Sequence, residues 1–385
     1  NNILMTLMNS IITECGIVDI AVQLSHYYCD VKDIAKYFNI DEGKLTVGLG
    51  LEEASACALN EDAVTLGLSA IKKLMERNNL EPKDIGRLEV GTESNWDGSK
   101  SFKTYLMSLF ETNKNISGCD TTNACYGGTN ALLNAMYWVE SSFWDGKYAI
   151  VVCTDTCFYD DKNLIPLAGS AACALLIGRN PVFKFYTGLI EHCFSNTYDF
   201  SKPRHSYPYP FLDGKMSVEI YKNSFNHLFD SLKNKSMTEN SFDHICLHTP
   251  YPKLPVKICK ENNISSDKLE KSILFSKKVG NPYTASLYLS LYSLIYCADI
   301  KVGENVLMFS FGSGAASSMF LIKKVRSGIF TEDIFKDRKQ VDAATFVHLL
   351  NSEMRSVLSE STLKNKKGFV IKSYNEAGKI YELLE

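Results

Sequence analysis

Two short blocks of similar sequence, one in each half of the chain, constrain the fold more than any other feature. Residues 169–178 read GSAACALLIG and residues 312–323 read GSGAASSMFLIK, so each block is a Gly-Ser turn followed by an apolar run. Another apolar run, VLMFS at 306–310, precedes the second block. Such self-similarity is typical of a duplicated unit, although tight turns before buried strands also favour small residues. We therefore predict two related halves, 1–183 and 184–385.

Strand-like and helix-like segments alternate along the chain. Apolar runs at 16–22, 85–90 and 148–154 predict strands, and the last run is continuous enough to be buried on both faces. Apolar residues at helical spacing predict helices over 63–76 and 123–139. This alternation indicates the α/β class. Residues 199–214, rich in Pro and aromatics, predict an ordered loop, and 324–385 predict amphipathic helices followed by a terminal hairpin.

Composition limits the classes of partner and the compartment. The 385 residues carry a net charge of -3, so neither nucleic acid nor a membrane is expected as a partner. No apolar run has the length of a transmembrane helix. Twelve cysteines without a CxxC pair argue against a zinc site and fit a reducing compartment. The first fourteen residues lack Lys and Arg, which predicts a cytoplasmic protein. Mitochondria are the alternative, because the chain starts at Asn1 rather than Met.

Cys125 is the candidate nucleophile because of the residues around it. Residues 120–129 read DTTNACYGGT, between a strand-like stretch and the second predicted helix. We predict that Asn123 caps this helix and that Cys125 lies in its first turn. There the helix dipole and free N–H groups favour a thiolate and can stabilise a thioester oxyanion. Gly127 and Gly128 leave room for an acyl group. A buried structural cysteine beside a glycine turn is the alternative interpretation.

The segment NACYGGT resembles the nucleophile motif of 3-hydroxy-3-methylglutaryl-CoA synthases, and the eukaryotic branch is the closer likeness. Seven more blocks resemble this family in its own order: RLEVGTES (87–94), SKSFKTYLMSLFE (99–111), WVESSFWDGKYAIVV (138–152), YDFSKP (198–203), LHTPYPKL (247–254), VGNPYTASLY (279–288) and FSFGSGAA (309–316). The resemblance covers nearly the whole chain, apart from about the first fifteen residues and the C-terminal region.

The resemblance implies a fold, a reaction and an assembly. The fold is thiolase-like, with duplicated βαβαβαββ halves that form an αβαβα layered core. The reaction is that of an acyltransferase of the mevalonate pathway, which condenses acetyl-CoA with acetoacetyl-CoA and water to give 3-hydroxy-3-methylglutaryl-CoA and CoA. The coenzyme A thioesters are substrates, and no metal or other cofactor is expected. A homodimer is expected from the family.

The resemblance also assigns roles to three candidate catalytic residues. It implies that Cys125 carries the acetyl group, that Glu93 removes a proton from the acetyl methyl, and that His248 polarises the acetoacetyl carbonyl. By residue type, Glu93 is a strand-end carboxylate whose use as a base depends on burial. His248 is a strand-end imidazole suited to act as a general acid or as a hydrogen-bond donor. Taken alone, Glu93 is more readily explained as a surface turn residue, and His248 as a structural histidine that caps a strand end.

A further set of residues is implied by the resemblance to contact substrate or coenzyme A. It comprises Tyr126, Asp155, Tyr159, Asp199, Phe200, Lys253, Lys257, Asn281 and Ser313. Lys253 and Lys257 are four residues apart and suit coenzyme A phosphates, or else form a solvated basic face. A helix cap, a core aromatic or a turn residue is the alternative for the others.

Leu167 is the main departure from the family pattern. It stands where relatives have a Thr that contacts substrate, so one substrate hydrogen bond is expected to be lost. Two rival functions stay open. The first is another thiolase-fold acyltransferase, similar to a ketoacyl synthase, which would give a linear 3-ketoacyl thioester. The second is an inactive homologue kept as a binding protein, against which the joint presence of Glu93, Cys125 and His248 argues.

Overall fold

A computed structural model describes residues 12–95, 97–202, 209–351, 368–375 and 378–384 of the protein. The strands in these residues are β1 (Ile12–Leu24), β2 (Tyr27–Asp30), β3 (Glu53–Ala56), β4 (Ile85–Gly91), β5 (Asp120–Thr121), β6 (Tyr148–Thr156), β7 (Ser170–Arg179), β8 (Phe183–Phe194), β9 (Phe200–Ser201), β10 (Phe211–Leu212), β11 (His244–Leu247), β12 (Asn305–Gly312), β13 (Ala316–Lys324), β14 (Lys339–Gln340), β15 (Gly368–Asn375) and β16 (Gly378–Leu384). The α-helices are α1 (Val31–Phe38), α2 (Ala63–Arg77), α3 (Phe102–Leu106), α4 (Gly127–Glu140), α5 (Gly214–Asn234), α6 (Lys253–Glu261), α7 (Ser276–Val279), α8 (Ser286–Cys297) and α9 (Ala343–Asn351).

One nine-stranded sheet runs through both predicted halves, in the order β11-β12-β13-β8-β1-β7-β6-β4-β5. Its two sides repeat each other from the middle outward. Strand β4 pairs with β6 in parallel and β6 with β7 antiparallel, just as β11 pairs with β12 in parallel and β12 with β13 antiparallel. The two similar sequence blocks therefore form equivalent strands, β7 and β13. The sides join through the antiparallel pair β1 and β8.

Five layers follow from the alternation of side chains along the strands. On β6, Val151 packs in a core with α4 and α8, whereas Val152 packs in another core with α2. On β12, Met308 faces the core of α4 and α8, whereas Leu307 faces α5 and α6. The helices α4 and α8 thus lie between the two sides of the sheet. This order of helix, sheet, helix, sheet, helix is the predicted αβαβα core.

The predicted strands at 16–22, 85–90 and 148–154 lie within β1, β4 and β6, and the helix predicted at 63–76 lies within α2. The second helix begins at Gly127, not at Asn123, so the predicted cap is wrong. Ala124 has a φ of 43°, which turns the chain away from helical geometry just before the helix. The side-chain amide of Asn123 instead donates to the backbone oxygen of Ser313 at 3.2 Å.

The C-terminal region contains α9 and the hairpin of β15 and β16, which confirms the predicted terminal hairpin. The hairpin packs beside α2, where Lys379 Nζ and Tyr381 Oη bond Asp62 Oδ2 at 2.8 and 2.9 Å. The predicted loop at 199–214 contains the ribbon of β9 and β10. Its residues 203–208 lie outside the described residues, as do 352–367 of the predicted C-terminal helices. The division into 1–183 and 184–385 stays a prediction.

Candidate active site

The candidate site lies where parallel strands of both halves end. Strand β4 ends two residues before Glu93, and β11 ends immediately before His248. Cys125 lies in the turn before α4, which is closed by a hydrogen bond of 3.0 Å from the Tyr126 backbone N–H to the Asn123 oxygen. The carboxyl ends of parallel strands are where open α/β sheets form their ligand clefts. Glu93 and Cys125 meet beyond the end of β4. His248 lies beside β12, and the last residue of β12, Gly312, packs against the turn that contains Cys125.

Cys125 and Glu93 are in direct contact. The thiol donates a hydrogen bond to Glu93 Oε1, with sulfur and oxygen 3.5 Å apart. Burial raises the pKa of Glu93 above its ordinary value, and nearby Lys202 offsets part of that rise. Burial also raises the pKa of the Cys125 thiol well above its usual range, and the charge of Glu93 raises it further. Cys125 precedes the helix, so its predicted position in the first turn is wrong. The raised pKa favours the thiol over the predicted thiolate, and Glu93 is the carboxylate placed to accept its proton.

His248 is held rigidly and is uncharged. Its backbone N–H donates to Phe309 on β12 at 2.8 Å, and its backbone oxygen accepts from the Tyr221 hydroxyl on α5 at 2.7 Å. The residue is 3% exposed, and burial lowers the pKa of its imidazole to about 3. A neutral imidazole donates one hydrogen bond. Of the two roles open from the sequence, the geometry therefore favours a hydrogen-bond donor.

Asp155 holds the loop that carries Glu93. It is fully buried, and its Oδ1 accepts hydrogen bonds from the Glu93 backbone N–H, the Thr92 hydroxyl and the Ser94 hydroxyl at 2.9, 2.9 and 2.7 Å. Its Oδ2 accepts from the backbone N–H and the hydroxyl of Thr284 at 3.0 and 2.5 Å. Both oxygens are therefore engaged by protein. This placement differs from the cavity-lining position expected from the sequence.

Lys202 is a charged member of the site that the sequence reasoning did not single out. Its Nζ lies 3.1 Å from Glu93 Oε2, and the side chain of Glu93 is only 5% exposed. Nζ also lies 4.7 Å from the centre of the Tyr283 ring and 5.8 Å from that of Phe200. The only available signal was the block YDFSKP, which contains Lys202 and was noted for its resemblance alone. An isolated lysine in a loop has no pattern that separates it from a solvated one.

An apolar cluster surrounds the nucleophile. Cys125 packs against a core that contains the buried rings of Tyr159 and Tyr283, and Phe200 packs against the same core. The Tyr283 ring centre lies 6.3 Å from that of Tyr159 and 6.0 Å from that of Phe200. Leu167, the departure from the family pattern, also packs here. The structure therefore gathers Tyr159, Phe200 and Leu167 in the cluster that Cys125 contacts.

Asn281 lies beside this cluster and is fixed by its backbone. Its N–H donates to the Leu167 oxygen at 2.9 Å, and its own oxygen accepts from the Cys157 thiol at 2.6 Å. Its side-chain oxygen accepts from the Tyr283 N–H at 3.1 Å. The two segments approach this closely because residue 169 is Gly, where a Cβ would lie 2.5 Å from the Asn281 carbonyl carbon.

Three other predicted residues lie around the nucleophile turn. The Tyr126 hydroxyl bonds the Ser318 hydroxyl at 2.7 Å, so it is directed at β13. The Ser313 hydroxyl bonds a hydroxyl of α5 at 3.2 Å. Asp199 is fully buried, and its Oδ1 accepts from the Gly314 N–H at 3.1 Å. These contacts tie the end of β12 to the loop before β9 and to α5.

A cavity of about 410 Å³ opens beside the start of α6. Lys253 lines it, and Lys32 and Lys277 add two further ammonium groups. Lys257 lies one turn further along α6, is exposed, and does not line the cavity. Leu51 lines the cavity and also belongs to the apolar cluster that Cys125 contacts, so the cavity borders the core around the nucleophile.

A metal-ligand cluster and a membrane-spanning helix are both absent from the described part of the chain. Among its residues, no group of three or more His, Cys, Asp or Glu is placed to hold a metal ion. All twelve cysteines are free thiols. None of the helices described is long and apolar enough to cross a membrane. That the reaction needs no cofactor stays a prediction.

Family models match most of the chain. The model of the hydroxymethylglutaryl-coenzyme A synthase N terminal matches residues 12–181, and that of the C terminal matches 185–261 and 255–345. The cytoplasmic hydroxymethylglutaryl-CoA synthase of Gallus gallus is 36% identical, with 80% of this chain and 72% of that protein covered. Synthase 2 of Blattella germanica is also 36% identical, with 80% of each covered. The mitochondrial synthase of Rattus norvegicus is 35% identical, with 80% and 73% covered.

Solved structures share the fold. A crystal structure of HMG-CoA synthase complexed with CoA is 25% identical and superposes with a TM-score of 0.87, covering 97% of this chain and 100% of the other. MvaS in complex with 3-hydroxy-3-methylglutaryl coenzyme A is 24% identical, with a TM-score of 0.87 over 97% and 99% of the two chains. These likenesses confirm the thiolase-like fold. With the family models and the curated relatives, they show that this chain belongs to the hydroxymethylglutaryl-CoA synthase family.

Proposed function

We propose that the protein condenses acetyl-CoA with acetoacetyl-CoA and water to give 3-hydroxy-3-methylglutaryl-CoA and CoA. The observation that carries this proposal is the contact between the Cys125 thiol and the Glu93 carboxylate, 3.5 Å apart, in a chain of this family. A thiol and a carboxylate in contact within a buried site supply a nucleophile and its proton acceptor. The rest of the mechanism follows from the protonation states of the site.

The first step transfers the acetyl group to Cys125. Glu93 accepts the thiol proton as the sulfur attacks the carbonyl carbon of acetyl-CoA. The bond between that carbon and the coenzyme A sulfur breaks, and Glu93 returns the proton to the departing thiolate. The products of this half-reaction are acetyl-Cys125 and free coenzyme A. A thioester at Cys125 keeps the methyl protons acidic and is later a good leaving group.

The second step forms the carbon–carbon bond. Glu93, again a carboxylate, takes a proton from the acetyl methyl, and the carbanion attacks the ketone carbon of acetoacetyl-CoA. Neutral His248 donates a hydrogen bond to the ketone oxygen, which gains negative charge and then takes up the proton that Glu93 removed from the methyl. Water finally cleaves the thioester at Cys125, which releases the branched product and restores the thiol.

Substrate binding is proposed from the residues that surround these groups. Lys253, Lys32 and Lys277 line the cavity together with Asp30 and Glu52, and the three lysines are proposed to neutralise coenzyme A phosphates. Lys257 adds a charge outside the lining residues. Tyr159, Phe200 and Asn281 supply walls for the acyl groups, and Tyr126, Asp155, Asp199 and Ser313 support the loops that form the site.

We also propose a homodimer in the cytoplasm. The dimer is expected from the family, and sedimentation of the purified protein at twice the mass of one chain is the expected result. The compartment is proposed because relatives named as cytoplasmic are among the most similar. The rat mitochondrial relative keeps mitochondria as the alternative. Microscopy of the tagged full-length protein distinguishes the two compartments.

Two measurements on the purified protein test the activity. Mixing with acetyl-CoA is expected to add about 42 Da to the intact mass, one acetyl group replacing one hydrogen at Cys125. Adding acetoacetyl-CoA is expected to remove that adduct and yield the branched 3-hydroxy acid. The variant Cys125→Ser, nearly the same in size, is the control and should gain no labile adduct.

Each rival function predicts a different result in these two measurements. A linear 3-ketoacyl thioester as product would identify a ketoacyl-synthase-like enzyme. A wild-type protein without any adduct would identify the inactive homologue.

A further inference from the structure

The carboxylate of Glu93 joins the nucleophile to a cation. Its Oε1 accepts the hydrogen bond from Cys125 Sγ at 3.5 Å, and its Oε2 lies 3.1 Å from Lys202 Nζ. The proposed mechanism uses the first contact but not the second. We infer that Lys202 is the counter-ion of the reaction, the fixed positive charge that balances each anion formed at Cys125. This inference rests on the proposed function. It names the residue whose positive charge stabilises the buried anions of the proposed mechanism.

One cation suffices because only one negative charge moves during the proposed steps. In the resting enzyme Glu93 has the negative charge that moves during the reaction, whereas the charge of Asp155 stays in place. When Glu93 takes the thiol proton, the charge moves to the Cys125 sulfur. When it takes a methyl proton from acetyl-Cys125, the charge moves to the enolate. In each of these states Lys202 balances the one charge that moves, so the total charge of the site stays the same. Without the ammonium group, each state would contain an uncompensated charge in a buried site, which is strongly unfavourable.

The surroundings of Lys202 keep it protonated. Burial by itself would lower the pKa of Lys202, but the charges of Glu93 and Asp155 raise it above its ordinary value. The faces of Tyr283 and Phe200, with ring centres 4.7 and 5.8 Å from Nζ, also favour a cation. Lys202 is thus suited to act as a permanent charge and not as a proton donor.

The other groups that face Lys202 do not replace it or compete with it. Besides Glu93, the titratable groups around it are Asp155, Cys157, Cys125 and Tyr283. Asp155 is fully buried with both oxygens hydrogen-bonded, and Cys157 donates to the Asn281 oxygen at 2.6 Å. Glu93 is therefore the carboxylate that Lys202 contacts directly among the described residues, and changes at Lys202 are expected to act through Glu93.

Three variants separate the charge of Lys202 from its packing. Lys202→Met keeps the length of the side chain without charge, Lys202→Gln keeps a hydrogen-bond donor without charge, and Lys202→Arg keeps the charge. Lys379→Met is the matched control. The Lys379 side chain is 20% exposed and lies 2.8 Å from Asp62 at the C-terminal hairpin, against 21% and 3.1 Å for Lys202 and Glu93.

Two rates are measured from about pH 6 to 9. They are the rate of Cys125 acetylation, followed by intact mass in a single turnover, and the rate of steady-state condensation. Protonation of a general base lowers the rate on the acid side of such a profile, which is called its acid limb. We expect Lys202→Met and Lys202→Gln to lower both rates about 10²–10³-fold, the usual scale for a lost charge-stabilising group. Because Lys202 lowers the pKa of Glu93, the acid limb should also move to higher pH. Lys202→Arg should stay within about tenfold of wild type with an unshifted limb, and Lys379→Met should equal wild type.

Other outcomes overturn the inference. Uncharged variants at the wild-type rate would show that no counter-ion is needed. Variants that are all equally slow, Lys202→Arg included, with an unshifted acid limb would show that Lys202 only supports the loop. Thermal melting of each variant identifies any that fail to fold, and the remaining uncharged variant then decides. Failure of the proposed function looks different, because wild type itself would then form no branched product, whether or not it forms acetyl-Cys125.

Discussion

At Cys125, the residue that supplies the chemistry is not reactive by itself. Burial and the neighbouring Glu93 carboxylate both raise the pKa of the thiol, so the sulfur gains nucleophilicity only as its proton leaves. The hydrogen bond to Glu93 Oε1 gives that proton a destination. In the proposed mechanism one carboxylate therefore has two tasks in succession, first on the thiol and then on the acetyl methyl.

This double use of Glu93 predicts the behaviour of Glu93→Gln. We expect condensation to fall about 10²–10⁴-fold, and Cys125 acetylation to slow as well, because an amide accepts neither proton. Intact mass at short times measures the first half-reaction, and product formation measures the sum. Glu89→Gln is the matched control, since Glu89 is a buried carboxylate on β4, the strand that precedes Glu93, and is paired with Arg87. Acetylation of Glu93→Gln at the wild-type rate would mean that another group takes the thiol proton.

His248 predicts how stability depends on pH. Its pKa is about 3 in the folded protein, against about 6.5 in an unfolded chain. Between these values the unfolded chain binds a proton that the folded protein does not, so stability falls as the pH falls from about 6.5 towards 3. We expect urea unfolding at about pH 7 and 5 to show a smaller loss of stability for His248→Gln than for wild type. His227→Gln, on the exposed face of α5, should lose as much as wild type. Equal losses in all three proteins would contradict the assignment.

At the scale of elements, the ends of β4 and β6 and the start of α8 are joined by one carboxylate. Asp155, near the end of β6, accepts hydrogen bonds from the loop after β4 and from Thr284 just before α8. Buried acceptors with this many donors are strongly fixed, because leaving any donor unpaired costs its full desolvation. The position of Glu93 therefore depends on elements from both halves of the chain.

Asp155→Asn tests this arrangement. In Asp155→Asn the side-chain NH₂ group would face at least one partner that is itself a donor. We therefore expect the free energy of unfolding to fall by about 1–3 kcal/mol. Condensation should fall too, because the loop that carries Glu93 loses its anchor. Thr284→Val removes one hydroxyl donor and should show a smaller loss of both. Unfolding curves and rates of Asp155→Asn that match wild type would rule out the anchoring role.

At the scale of the whole molecule, the two predicted halves share a core. The helices α4 and α8 pack in one apolar cluster with strands from both sides of the sheet, and β1 pairs with β8 across the junction. An apolar layer of this kind cannot be split without exposing both of its faces to water. The two halves thus repeat one topology but share one apolar core.

The shared core predicts cooperative unfolding of the full chain. We expect a single urea transition, with tryptophan fluorescence and far-ultraviolet circular dichroism changing together. The tryptophans Trp138 and Trp144 pack against the shared cluster, so fluorescence reports on it directly. Two separated transitions would instead show that 1–183 and 184–385 fold as separate domains.

The sequence alone determined much of this protein. Strands β1, β4 and β6 and helix α2 follow from local apolar periodicity, and the repeated blocks indicated the equivalence of β7 and β13. Residue types in ordered blocks placed Glu93, Cys125 and His248 in one family pattern. These features are local along the chain or repeated in it, so they can be recognised from the sequence.

Tertiary structure alone decided the protonation and partners of the site. The turn at Cys125 lies before the helix because β12 packs on it, and a Cβ at Gly312 would lie 2.5 Å from both the Asn123 oxygen and the Tyr126 nitrogen. The ion pair between Lys202 and Glu93 joins residues from distant loops. Burial sets the pKa of Cys125 and of His248. Close approach, charge pairing and desolvation arise only when remote segments meet, so no local pattern in the sequence contains them.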